Sequence, residues 1–277
     1  MGAFNGLGHI ISNLEIADAP DNDVGFFSAV LAPGTISSIG LENVVVRGAY
    51  GQRAGGLIGE VTGGSVNNSW TSGTINSGTG YSVGGLVGYV GGGIISDSWS
   101  SAHVVSLNQS GVGGLIGDLT SNGVVSGSFA TGRVGKDSCM GGLVGYSDGG
   151  SIVNSYAIGP SIGTLSGGDT VGGFVGCSTS LSISDSYSTG RVKGATGAVV
   201  GGFVGSNSSS SYSNCYWDKQ TSKVQTGTGT GDVQGITGLT TAQFQSALPV
   251  GFNATIWAED PSINNGFPYL IANPPPQ

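Results

Sequence analysis

Charge is scarce in this chain. Eight Lys and Arg stand against sixteen Asp and Glu in 277 residues, so 9% of the chain is charged and the net charge is −8. Eight scattered cations make no basic stripe, which argues against nucleic acid and anionic membrane surfaces as partners. No apolar run approaches the roughly 20 residues of a spanning helix, so no membrane insertion is expected. The opening "MGAFNGLGHI" lacks the charged-then-apolar layout of a signal peptide. Its abrupt start on strand-like sequence leads us to expect a monomeric fragment of a longer protein, with any export signal upstream. There are two histidines, His9 and His103, far apart in the chain. No zinc-type spacing and no Ser/His/Asp set can be assembled around them, so neither a metal nor a cofactor is expected.

Glycine is abundant instead, with 55 residues, and hydrophobic residues make up 38%. Disorder requires low hydrophobicity and high net charge, and collagen requires a Gly triplet that is absent here. The glycines follow another rule: "GGLIG", "GGLVG" and "GGFVG" recur with their second glycine at Gly56, Gly85, Gly114, Gly142, Gly173 and Gly202, spaced 29, 29, 28, 31 and 29 residues apart. A degenerate copy, "DVGFFS", puts Gly25 another 31 residues upstream. An Asx/Gly–Ser/Cys–aromatic tripeptide keeps the same beat, ending at Trp70, Trp99, Phe129, Tyr156, Tyr187 and Tyr216, with Leu41 and Leu14 at the two earlier aligned positions.

Two or three glycines per unit, each costing about 1 kcal/mol in a helix, exclude a helical repeat. Apolar runs of four or five residues between Gly, Ser, Asn and Asp turns read as short strands. The expected fold is all-β: a parallel β-helix, or β-solenoid, of about 29-residue coils with a small mixed C-terminal cap. Stacked coils put equivalent residues over one another. Leu57, Leu86, Leu115, Leu143, Phe174 and Phe203 should form one inward column, and Val66, Ile95, Val125, Ile152 and Ile183 another. The glycines then serve tight corners rather than a phosphate loop, which would need a following helix.

"GGLVG" with sequence such as "DSYSTGRV" some eleven residues later resembles the GLUG-type repeat of large secreted bacterial proteins, notably filamentous haemagglutinin-like adhesins and some IgA-peptidase-like proteins. "FNGLGHIISNLEI" and "CYWDKQTS…GLTTAQF…WAEDPSINNGFPYL" are similar to the segments that flank such arrays. The resemblance implies a passive stalk or adhesive segment, secreted or on the bacterial cell surface, with host or surface glycans or matrix proteins as partners.

The composition changes near residue 217, which divides the chain into a solenoid at 1–216 and a C-terminal capping segment at 217–277. In that segment "GTGTGDVQGITG" reads as a flexible connection and "TTAQFQSAL" as a short helix, with Thr240 and Gln243 in capping-box spacing. "IWAEDPSINNGFPYLI" reads as an extended return bearing Trp257, Phe267 and Tyr269. The alternative is a small separate binding domain.

Candidate sites are few. Glu60, Tyr89, Asp118 and Tyr146 occupy one position in successive coils, an acidic and aromatic strip that could bind a ligand. Two coils separate the carboxylates by ~10 Å, the outer limit for an inverting glycosidase, and no catalytic set is expected there. The Asn68, Asp97, Asn154, Asp185 and Asn214 series, broken by Gly127, suits a turn ladder with left-handed backbone; calcium at Asp97 or Asp185 is the alternative. The aromatic column is expected to point inward as core; pointing outward it would be a sugar-stacking or adhesive ladder. Cys139, Cys177 and Cys215 fall 38 residues apart, out of step with the coil, so buried unpaired thiols are expected.

A non-enzymatic structural and adhesive module is the function expected. Its rivals are a carbohydrate-active β-helix using Glu60, Asp118, Arg133 and Arg191, and an ice- or surface-binding solenoid. The column after the aromatic, Thr71, Ser100, Ala130, Ala157 and Ser188, is too mixed for the latter.

Overall fold

Each glycine motif folds as a sharp corner. In one coil, Gly111–Gly113 enters the corner, Gly114 and Leu115 turn it, and Ile116–Thr120 leaves it. Val124–Ser126, Phe129–Ala130 and Val134–Gly135 complete the coil, and Cys139–Gly141 starts the next directly beside Gly111–Gly113. Repetition of this path gives an all-β parallel β-solenoid of about seven coils, with a small antiparallel sheet at the C-terminus. The computed structural model describes residues 2–17, 22–47, 53–78, 80–106, 111–135, 138–164, 168–231 and 233–276. Among these, a seven-stranded sheet holds the strands before the corner, an eight-stranded sheet those after it, and an 18-stranded sheet the rest of each coil.

The inward columns form as the repeat requires. Leu57, Leu86, Leu115, Leu143, Phe174 and Phe203 are fully buried, and so are Val66, Ile95 and Val125, with Ile152 and Ile183 at 1% exposure. The second glycine of each motif faces the small column that follows the aromatic. A Cβ on Gly56 would stand 2.7 Å from Gly85 O and 3.1 Å from Thr71 Cγ2. In the middle coils this column holds Thr71, Ser100, Ala130, Ala157 and Ser188, and Thr71 and Ser188 each donate a hydroxyl hydrogen bond to a glycine carbonyl, Gly85 O and Gly202 O.

This close approach decides where the aromatics go. With the inward place taken by Thr71, Ser100, Ala130, Ala157 and Ser188, the preceding aromatic points away from the coil interior. The expectation of an inward aromatic column is therefore corrected: the ladder lies on the outside of the coil and is buried there by other sequence. The register of its start is corrected too, because Gly40, not Leu41, pairs with Trp70, and Leu41 pairs with Thr71 as an inward residue. Ile10, not Leu14, continues the position below Gly40. Likewise Val24 pairs with Ala54, which sets Gly25 beside Gly55, the first glycine of the motif rather than the second.

The corner before each aromatic is left-handed throughout: Asn68, Asp97, Gly127, Asn154, Asp185 and Asn214 have φ of 46, 46, 55, 48, 49 and 51°. Asx side chains and glycine are the residues that tolerate this backbone. The middle residue of the tripeptide then closes the ladder. Ser98 N–H donates to Ser128 Oγ of the next coil at 3.2 Å, and Ser98 Oγ donates to Ser96 O at 2.7 Å. Ser69, Ser128 and Ser155 repeat the pattern. Cys215 takes the same place in the last copy, and burial pushes its thiol up to about 12.

The expected boundary at 216/217 falls inside the strand Ser211–Asp218. The "GTGTG" stretch is not a loose connection: Thr228–Thr230 and Ile236–Leu239 pair in parallel with the preceding coil and extend the solenoid to Leu239. Trp217 occupies the inward small position there, opposite Gly202, and fills the end of the core. Asp218 caps α1 (Lys219–Ser222) through Gln220 N and Thr221 N and accepts from Thr241 Oγ1 at 2.6 Å, tying α1 to α2 (Thr241–Phe244). The helix α2 carries the expected Thr240/Gln243 capping box.

Candidate functional site

Two outer surfaces carry chemistry. The first is the glycine corner. Because the corner folds back on itself, the residues seven apart that flank it become neighbours. Arg53 Nη1 reaches Glu60 Oε2 at 2.6 Å and Asp23 Oδ1 at 3.1 Å, and its guanidinium lies 4.6 Å from the centroid of the Tyr89 ring. Tyr89 pairs with Glu60 on one side and Asp118 on the other, and Asp118 with Tyr146, so the four expected residues do form one strip. Their chemistry is internal. Glu60 is held by Arg53 and Thr62, Tyr89 accepts from Thr120 Oγ1 at 2.7 Å, and Asp118 Oδ2 accepts from Ser82 Oγ at 2.6 Å. Asp118 Oδ1 is buried without a partner, and burial raises its carboxyl to about 7 against the lowering effects of Ser82 and Arg53. Burial also raises the Tyr146 hydroxyl, with Asp148 and Asp118 adding to it. Arg133 and Arg191 are exposed and flank strands of the 18-stranded sheet, away from this strip in the fold. His9 and His103 are exposed, on Ala3–Ser12 and His103–Ser106.

The same corner overturns the expectation of three unpaired thiols. Cys139 and Cys177 form a disulfide with Cα atoms 5.5 Å apart. Their separation of 38 is one seven-residue corner, Cys139 to Tyr146, plus one 31-residue coil, Tyr146 to Cys177. A comparison of 38 with the coil period alone misses this. The signal lies in Arg53 and Glu60, and again in Ser82 and Asp118, which meet across the fold-back in the same way. Cys215 remains free and buried.

The second surface is the aromatic ladder. Its rings stack almost parallel: Trp70–Trp99 at 4.8 Å and 1°, Trp99–Phe129 at 5.7 Å and 6°, Phe129–Tyr156 at 4.7 Å and 5°, Tyr156–Tyr187 at 5.2 Å and 3°. Ring faces point along the solenoid axis and ring edges point outward. The C-terminal segment folds back along these edges. Trp257 packs on Tyr156 and Tyr187 at 55° and 54°, Phe244 on Tyr187 at 47°, and Phe252 on Tyr216 at 74°. Tyr187 OH donates to Pro268 O and Tyr216 OH to Val250 O, while Trp257 Nε1 donates to Asn154 Oδ1 at 3.3 Å and Asn273 Nδ2 to Gly127 O at 2.9 Å. Burial raises both the Tyr156 and Tyr187 hydroxyls. Phe129, Tyr156, Tyr187 and Tyr216 are thereby buried, but Trp70 and Trp99 are only partly so. A cavity of about 330 Å³, lined in part by Asp97, Asn154, Ile256 and Ile271, opens where the cover stops.

Comparison with known proteins agrees with the fold. The chain matches the GLUG motif family over residues 137–163 and 167–193. No curated protein is significantly similar to it. Among solved structures, a putative immunoglobulin A1 protease from Bacteroides ovatus is similar over 97% of this chain and 77% of that one, at 19% identity and a TM-score of 0.54. At that identity the likeness is one of fold alone.

Proposed function

We propose that this chain is a non-enzymatic structural and adhesive β-solenoid segment of a secreted or cell-surface bacterial protein, with surface glycans or matrix proteins as partners. The observation that carries the reading is the division of labour between faces. Inward positions are refilled by like residues in every coil, whereas outward positions such as Thr74, His103, Arg133, Pro160 and Arg191 vary freely. A rod that keeps its core and varies its surface presents contacts along a fixed length. The carboxylates of the corner strip support the same reading, since Glu60 and Asp118 are engaged by Arg53 and Ser82.

Binding to glycan and matrix-protein arrays tests the adhesive part, and binding to neither would leave only a spacer. Incubation with a panel of polysaccharides and with immunoglobulin A1 tests the non-enzymatic part. Reproducible cleavage that is lost in Glu60→Gln or Asp118→Asn would overturn it.

A further inference from the structure

The aromatic ladder is completed by the chain's own C-terminal segment only in part. Over Tyr156, Tyr187 and Tyr216 the outward ring edges meet rings tilted by 47–74°. Aromatic edges carry partial positive charge and ring faces partial negative charge, so this tilted contact is the favourable way to cover a ladder of edges. Among the described residues, Trp70 and Trp99 have no ring partner beyond the ladder itself. The polar half of the contact repeats as well. Asn154, two residues before Tyr156, accepts the indole N–H of Trp257. Two coils earlier the same left-handed position holds Asp97, exposed, whose carboxylate has no hydrogen-bond donor among the described residues. The cavity beside Asp97, Ile256 and Ile271 leaves room for a side chain at that place.

We infer that Trp70, Trp99 and Asp97 form a docking site for an extended segment of another polypeptide, one that carries an aromatic side chain with an N–H donor beside it. The site continues an interface that the molecule already makes with its own residues 244–273. The chemistry of the occupant is read from that interface: a ring, tryptophan above all, tilted against the outward edges, and a donor for the carboxylate. A net charge of −8 favours a non-acidic segment. A saccharide fits less well, because both faces of Trp99 are taken by Trp70 and Phe129, and sugar stacking needs a free ring face. The inference rests on the non-enzymatic binding role proposed above and names the partner class for it.

The test uses the intact 277-residue protein and a fluorescein-labelled peptide of the sequence Asn-Ala-Thr-Ile-Trp-Ala, the chain's own residues 253–258, titrated by anisotropy. Saturable binding is expected. It should weaken by about tenfold or more in Trp99→Ala and in Asp97→Ala, and stay within about threefold of the original in Asp97→Asn, which keeps an acceptor as Asn154 does. Trp70→Ala, at the first rung of the ladder, gives a second reading if Trp99→Ala unfolds. Absence of saturable binding would overturn the proposal. Binding unchanged in every variant would overturn it too, since the peptide would then be displacing the native segment. So would a neutral oligosaccharide that binds through these residues where the peptide does not. Loss of peptide binding with array binding intact sinks this inference alone, and cleavage of the enzyme-panel substrates sinks the earlier reading alone.

Discussion

At the scale of the residue, Asp118 is the side chain whose environment conflicts most with its charge. Its Oδ1 is buried without a donor and sits where a side chain on Gly111 would be, and burial lifts the carboxyl from the usual 3.8 to about 7. The folded state therefore holds a proton that the unfolded state has released between those values. Asp118's own effect on stability is absent below about pH 4, grows unfavourable as the pH rises towards 7, and above it reaches on the order of 4 kcal/mol as an upper bound. Asp118→Asn should flatten this profile, raising stability at pH 8 by up to that amount and changing little at pH 4. Chemical denaturation of both proteins at the two pH values measures it. An equal effect at both would mean that the carboxyl titrates normally. The repeat alone places Asp118 in its strip but cannot show this shift, because the cause is burial of the carboxyl against the bare Gly111 across a corner whose fold-back is a tertiary fact.

At the scale of the element, the corners hold the coil together by two devices of different legibility. The glycine column is readable, since "GGLVG" recurring about every 29 residues suits stacked coils and its glycines are costly in a helical repeat. The serine ladder is not, because a serine between an Asx residue and an aromatic looks like turn filler until its hydroxyl is seen to accept from the neighbouring coil. Ser128→Ala should leave the Ser98 N–H unpaired and cost about 1–3 kcal/mol. Leu115→Asp, which places a charge in the fully buried leucine column, should cost considerably more. Thermal melts of the two variants give the order, and equal effects would mean that Leu115 does not face the apolar interior. The disulfide closes a loop of 38 residues, for which chain entropy gives about 4 kcal/mol. Reduction of Cys139–Cys177 should therefore lower the melting temperature measurably while Cys215, buried with its thiol at about 12, stays unreactive in the folded protein. Labelling of Cys215 without denaturant would contradict that placement.

At the scale of the whole molecule, the C-terminal segment protects a flank rather than only an end. The short helix, its capping box and the aromatic residues of the return are all legible in the sequence; their destination is not. Nothing local distinguishes a segment that lies across the last coil from one that runs back along four rungs of an outward ladder. The distinction has a consequence. Removal of residues 240–277 leaves the solenoid complete to Leu239, with Trp217 still in the core, but strips the cover from Phe129, Tyr156, Tyr187 and Tyr216. The stacked ring faces stay covered by neighbouring rungs, so the truncation uncovers a contiguous strip of outward ring edges, an apolar patch of the kind that marks association surfaces. A 1–239 truncation should therefore self-associate at concentrations where the full chain stays monodisperse. A 1–216 truncation, which also loses Trp217 and the strands at 228–239, should associate and melt lower still, because it opens the end of the core and an unpaired parallel edge as well. Removal of residues 274–277 alone should change neither property. Light scattering and thermal melts of the three truncations order these effects. If the 1–239 protein proves monodisperse and as stable as the full chain, the ladder does not need its cover, and residues 240–277 are a separable binding unit that happens to rest on it.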